Sequence, residues 1–153
     1  MSYVIGTYEC KIDAKGRVLV PASLKRQLPA MVEGFVLKRS IFEPCLEMWP
    51  MVEWNKMMQK IGKLNPFDKK NDMFIRRFMA GVKEVSVDDA GRMLIAKDLI
   101  EYAKISKEIV FTSKVNIIEI WDKEMYESIL VEEVDFDLGE LAQEVMSNIS
   151  FDE

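Results

Sequence analysis

Two five-residue motifs, Asp13-Ala-Lys-Gly16-Arg17 and Asp88-Asp-Ala-Gly91-Arg92, carry the same three chemically able side chains at the same spacing. A guanidinium fork matches phosphate oxygens and guanine edges better than any other side chain. The Asp can bond backbone amides ahead of it, and the Gly can take positive φ, so each motif predicts a tight turn. Taken once, the motif reads as a turn whose Arg pairs with a nearby carboxylate. Taken twice at a constant offset of 75 residues, it reads as two equivalent turns that present two arginines on one surface. Lys15 adds a cation to the first turn, while Ala90 adds none to the second. Arg17, Arg92 and Lys15 are therefore the candidate contacts to an anionic ligand, and Asp13, Gly16, Asp88 and Gly91 form the turns that hold them.

Other chemistry finds little to work with. The chain has no His, which removes His-based nucleophile systems and the commonest metal ligand. It has neither a GxGxxG nor a GxxxxGK[ST] run to cradle a nucleotide phosphate. Asp88-Asp89 and the acids of 132–137 read as a turn and a solvated surface, not as a cation site. Cys10 and Cys45 lack a CxxC spacing and read as reduced, buried thiols. The expectation is a protein with no catalytic residues, no cofactor, no metal and no small-molecule substrate.

The elements around the turns repeat as well. In "TYECKID" (7–13) Tyr8, Cys10 and Ile12 alternate with Glu9 and Lys11, the period of a half-buried strand. The turn and a strand "RVLV" (17–20) follow, then a short helix from Pro21 to Leu28 and strands at 35–39 and 45–49. The second copy repeats the order: "KEVSV" (83–87), the turn, "RMLI" (92–95), a helix at 96–103, and strands at 108–113 and 117–121. Each copy then runs from strand into helix, at Pro50 in the first and with Asp122 as N-cap in the second. Helices are predicted at 51–64 and 67–79 between the copies. Leu138, Leu141, Val145 and Ile149 make one apolar stripe of a final helix. The fold class is α+β: one domain over 1–153, built of two repeats (about 3–60 and 80–131), a helical linker at about 61–79 and an acidic helical tail at about 132–153.

The net charge of −5 conceals a division. Residues 1–121 carry +5, whereas 122–153 carry −10. A basic body can face a polyanion that a uniformly acidic protein would repel. The apolar stripe of the tail is expected to dock on the body or on a neighbouring protomer, with its acids turned away from the arginine turns. No run approaches the apolar length of a membrane span, and the opening residues carry no export pattern. A cytoplasmic protein without membrane contact is expected.

The paired "DAKGRVLVP" and "DDAGR", the segments "CLEMWP" with "EW" and "IEIWD", and "RRFMAG" (76–81) resemble the MraZ family over about residues 3–130. That family comprises bacterial regulators at the head of the division and cell-wall gene cluster, related to the AbrB/MazE swapped-hairpin superfamily. The resemblance implies that the halves form a small swapped-hairpin, or double-split, barrel with flanking helices. It implies sequence-specific binding of double-stranded DNA at direct promoter repeats, with Arg17 and Arg92 as the contacts. It also implies a ring-shaped homo-oligomer, often an octamer, associated with the nucleoid. The second copy departs from the family pattern, with Ala96 and Ile100 where the first copy has Pro21 and Lys25. Arg17, set among Lys15, Lys25 and Arg26, is accordingly expected to matter more than Arg92. A module of another class remains open on these residues: an antitoxin-like or scaffolding domain that binds a protein partner. Salt dependence separates the two, because phosphate binding weakens steeply with salt.

Overall fold

A computed structural model of the chain describes residues 3–28, 34–132 and 137–149. It is an α+β protein of eight strands and six helices in the described residues. The strands are β1 (Thr7–Lys11), β2 (Arg17–Leu19), β3 (Phe35–Arg39), β4 (Leu46–Pro50), β5 (Lys83–Val85), β6 (Arg92–Leu94), β7 (Glu108–Lys114) and β8 (Ile117–Asp122). The helices are α1 (Ala22–Gln27), α2 (Met51–Ile61), α3 (Lys69–Phe78), α4 (Lys97–Tyr102), α5 (Lys123–Glu132) and α6 (Leu138–Met146). The chain forms two compact units, Met1–Lys123 and Glu124–Glu153.

All strand pairs are antiparallel. Six strands make one sheet in the order β1-β7-β8-β4-β3-β5, and β2 pairs with β6 alone. The order reads the same from both ends once each strand is replaced by its counterpart in the other repeat, so a pseudo-twofold axis passes between β4 and β8. Each repeat lends its first strand to the other: β1 adds to β7 and β5 adds to β3. Among the described residues these pairings leave two separate sheets and do not close into one barrel. The reason is length. β2 and β6 have three residues each and spend them on one another, leaving a single bridge, Ile12 to Val18, between β1 and β2.

Period-2 alternation assigns the faces. Phe35 and Leu37 of β3, Leu46 and Met48 of β4, and Ile118 and Ile120 of β8 enter the main core. They meet Val18 and Met93 from the small ribbon and Leu24 and Leu99 from α1 and α4. The opposite face packs Val36, Trp49 and Ile117 against Trp54 and Phe78. Both faces of β3 and β4 are therefore covered, and every residue of the two strands except Arg39 is buried. The segment expected to be a linker is part of that cover, since Phe78 of α3 stacks on Trp54 with ring centroids 5.9 Å apart. Asp68 caps α3 by accepting from the amides of Lys70 and Asn71.

Two polar groups are set into the sheet by symmetry. Trp49 Nε1 donates to Glu47 at 3.1 Å, and Trp121 Nε1 donates to Glu119 at 3.0 Å. These glutamates lie directly opposite each other across β4 and β8, and each has a lysine, Lys38 at 3.5 Å and Lys114 at 3.4 Å. Like charges face to face on paired strands are destabilising unless so matched. Asp122, expected as the N-cap of the helix that follows, ends β8 immediately before α5 and accepts from the Ser106 amide and hydroxyl. Cys45 is buried and Cys10 half-buried, both as free thiols. Burial pushes the Cys10 thiol up to about 12 and the Cys45 thiol higher still, which suits inert packing groups.

Candidate nucleic-acid interface

Both motifs fold as predicted, and almost identically. In the first turn Asp13 Oδ1 accepts from the amides of Lys15 and Arg17, each at 2.9 Å. In the second, Asp88 Oδ1 accepts from the amides of Ala90 at 3.0 Å and Arg92 at 2.8 Å. The Gly amide of each turn donates to the Asp carbonyl, and the Asp amide donates to the Arg carbonyl. Gly16 and Gly91 both have φ of +86°, a region open to Gly and costly for a residue with a Cβ. The motif is therefore a turn dictated by its own five residues.

The arginines are held by the same aspartates. Arg17 Nε lies 2.8 Å from Asp13 Oδ2, and Arg92 Nε lies 3.4 Å from Asp88 Oδ2. All four side chains are about half exposed, and an exposed pair of this kind adds little to stability. Its effect is geometric. The contact engages Nε and restrains a long side chain, while the terminal amino groups keep their donors for a ligand. Amide donation from Arg17, then its side chain, holds the Asp13 carboxyl below its ordinary 3.8. Asp88 is lowered as well, chiefly by the Arg92 amide. Both carboxylates are therefore ionised at neutral pH.

Strand exchange brings the two turns together. β2 and β6 pair with Arg17 opposite Leu94, Val18 opposite Met93, and Leu19 opposite Arg92. Beyond the ribbon the exchange continues: the Val20 amide donates to the Gly91 carbonyl at 2.9 Å, and the Ile95 amide donates to the Gly16 carbonyl at 2.8 Å. Val18 and Met93 point into the core, each only 1% exposed. The alternate residues, Arg17, Leu19, Arg92 and Leu94, lie on the outer face. The two arginines thus occupy one diagonal of a four-residue surface, and two leucines the other.

The exchange also redistributes charge, against expectation. A Cβ placed on Gly91 would sit 3.2 Å from Lys25 Nζ, whereas one on Gly16 would sit 3.2 Å from Ile100 Cδ1. Lys25 therefore stands at the second turn, although it belongs to the first repeat, and Ile100 stands at the first. The second turn, which lacks a lysine of its own, acquires one. The first keeps Lys15. Lys25, expected to reinforce Arg17, lies against Gly91 of the second turn, because the strands that precede α1 and α4 pair across the repeats. Leu19 and Leu94 were not among the candidates, although they too stand 75 residues apart.

The motif recurs because the whole sequence does. The family model described as "MraZ protein, putative antitoxin-like" matches residues 4–77 and again 78–147. The chain belongs to the MraZ family. It is 58% identical over 153 residues to the transcriptional regulator MraZ of Christiangramia forsetii, covering 99% of this chain and 98% of that one. It is 56% identical to the transcriptional regulator MraZ of Flavobacterium psychrophilum, covering 100% and 98%. The transcriptional regulator MraZ of Cytophaga hutchinsonii is 36% identical, with 94% and 92% covered. The two MraZ matches meet between residues 77 and 78, at the end of α3, so the helices between the motifs belong to the first match. No helix among the described residues is long and apolar enough to cross a membrane, and those residues hold no cluster of potential metal ligands.

Proposed function

We propose that this protein is a transcriptional regulator that binds promoter DNA in a sequence-specific way through the outer face of the β2–β6 ribbon. The observation that carries the reading is the doubled turn. Two arginines, each restrained by its own aspartate, share one face of a two-stranded antiparallel ribbon. Such a ribbon fits the major groove of B-DNA, where arginine forks read guanine edges. Lys15 at one turn and Lys25 at the other supply phosphate contacts, which orient the protein without reading sequence. The regulators named MraZ that match over nearly the full chain support the same reading.

One protomer has few such contacts. Useful affinity follows when several protomers engage direct repeats together, because linked sites act at high effective concentration. The family resemblance favours a homo-oligomeric ring, of eight protomers, working on the nucleoid in the cytoplasm at boxes ahead of the division and cell-wall genes. The palindromic strand order and the Ile12–Val18 bridge support treating the two repeats as one domain and the two sheets as parts of a swapped-hairpin barrel. The test is a mobility-shift titration with the region upstream of this protein's own gene, over a salt series. Tight, steeply salt-dependent binding that is lost in Arg17→Ala/Arg92→Ala supports the proposal. Binding indifferent to salt, or unchanged in that variant, would favour a protein-interaction module.

A further inference from the structure

The outer face of the ribbon is half apolar, and the arginines do not account for that half. Leu19 is 59% exposed and Leu94 is 58% exposed, while their strand neighbours Val18 and Met93 are buried. A solvent-facing strand position is served equally well by a polar or β-branched residue, yet both repeats place Leu here. Each leucine reaches the turn of the other repeat: Leu19 Cδ1 lies 3.5 Å from the Cβ position of Gly91, and Leu94 Cδ1 lies 3.6 Å from that of Gly16. These contacts cover the neighbouring turn and leave most of the side chain facing outward. The register sets Leu94 directly across from Arg17 and Leu19 across from Arg92, so any ligand that engages the arginines also meets the leucines.

Resting on the DNA-binding reading above, we propose that Leu19 and Leu94 are specificity-determining residues that contact thymine 5-methyl groups in the major groove. That methyl is the apolar group which base edges present there. Two positions along a strand span roughly 6.7 Å, close to two base steps of roughly 3.4 Å each. An Arg-contacted guanine and a Leu-contacted thymine thus fall within about two steps of one another. The diagonal arrangement repeats the pair in the opposite sense on the second strand. The proposed face consequently discriminates two kinds of base by two kinds of chemistry, ionic and apolar, within four side chains.

The test uses full-length protein and the promoter fragment upstream of its own gene, amplified once with thymidine and once with deoxyuridine in its place. Uracil pairs as thymine does but lacks the methyl. Wild-type protein should bind the uracil duplex more weakly, by about fivefold or more, at unchanged salt dependence. Leu19→Ala/Leu94→Ala, with oligomer mass and melting checked against wild type, should bind the thymine duplex about as weakly as wild type binds the uracil one. It should also show no further loss on uracil. Equal binding of the two duplexes by wild-type protein overturns the inference, as does a leucine variant that keeps full affinity or remains sensitive to uracil. Equal binding that is still lost in the arginine variants would overturn this inference alone. Wild-type protein that binds neither duplex at low salt would overturn the regulator reading with it.

Discussion

Lys25, from the first repeat, stands at Gly91 of the second, with its Nζ 3.2 Å from the point where a Cβ would lie. The ammonium thereby joins the turn that carries Arg92 and not the turn of its own repeat. Lys15 lies within the turn of Arg17, and Lys25 reaches the turn of Arg92 by exchange. The two sites are more nearly equal in charge than their sequences are.

Arg17→Ala and Arg92→Ala should therefore weaken promoter binding to a similar extent, by about 1–3 kcal/mol each if they contact bases. Lys25→Gln should couple more strongly to Arg92→Ala than to Arg17→Ala in a double-mutant cycle, since close residues share interaction energy and distant ones add. Titrations of the three single and two double variants check this. A stronger coupling to Arg17 would contradict the placement of Lys25.

The two motif glycines should differ in tolerance although their φ angles agree. A Cβ on Gly16 would meet the Ile95 carbonyl oxygen at 2.6 Å, which is backbone and cannot step aside. A Cβ on Gly91 meets the flexible end of Lys25. Gly91→Ala should cost about 1–2 kcal/mol from the left-handed backbone alone. Gly16→Ala should cost roughly 3 kcal/mol or more, because the backbone clash adds to the same strain. Urea melts of the two variants give the comparison.

Acid should loosen the turns before the core. Asp13 and Asp88 have folded pKa values below the ordinary 3.8, so the unfolded chain takes up their protons first. Their contribution to stability is fully present above the unfolded value and is lost as pH falls through the lowered folded one. Carboxyl carbon shifts followed by NMR should show both aspartates titrating below the ordinary 3.8. A midpoint at or above 3.8 would mean that the amide bonds into the carboxylates do not persist in solution.

The tail offers a separate test. α6 is acidic on one side, and Leu141 and Val145 on the other are 42% and 52% exposed in the protomer. Ending the chain after Glu132, the last residue of α5, deletes that stripe and seven of the eleven acids that follow Trp121. If the stripe docks against a neighbouring protomer, the shortened protein should assemble into a smaller or less stable oligomer than full-length protein. Its DNA affinity should then change only through general electrostatics. Light scattering beside a binding curve at moderate salt distinguishes this from a tail that shields the arginines. A shielding tail, once removed, would leave assembly intact and tighten binding by more than tenfold, about 1.4 kcal/mol.

What the sequence by itself determined is local. Asp13 and Asp88 find their partners within four residues, and Gly16 and Gly91 supply the φ that closes each turn. Both turns and the strands beside them could therefore be read from spacing alone. Alternation likewise located β1, with Tyr8 and Cys10 turned inward. The tertiary structure decided everything that depends on which strand meets which. The apolar run 18–20 carries no mark that sends Val18 inward and Leu19 outward, because both are apolar and the choice follows from β2 pairing with β6. Phe78 lies on the helix expected as a linker, and only the tertiary structure gives it Trp49 of β4 and Trp54 of α2 to pack on. Lys25 looked like a neighbour of Arg17 because it is eight residues away in the chain. Exchange of strands between segments 75 residues apart set it against Gly91, and no local preference encodes a contact of that range.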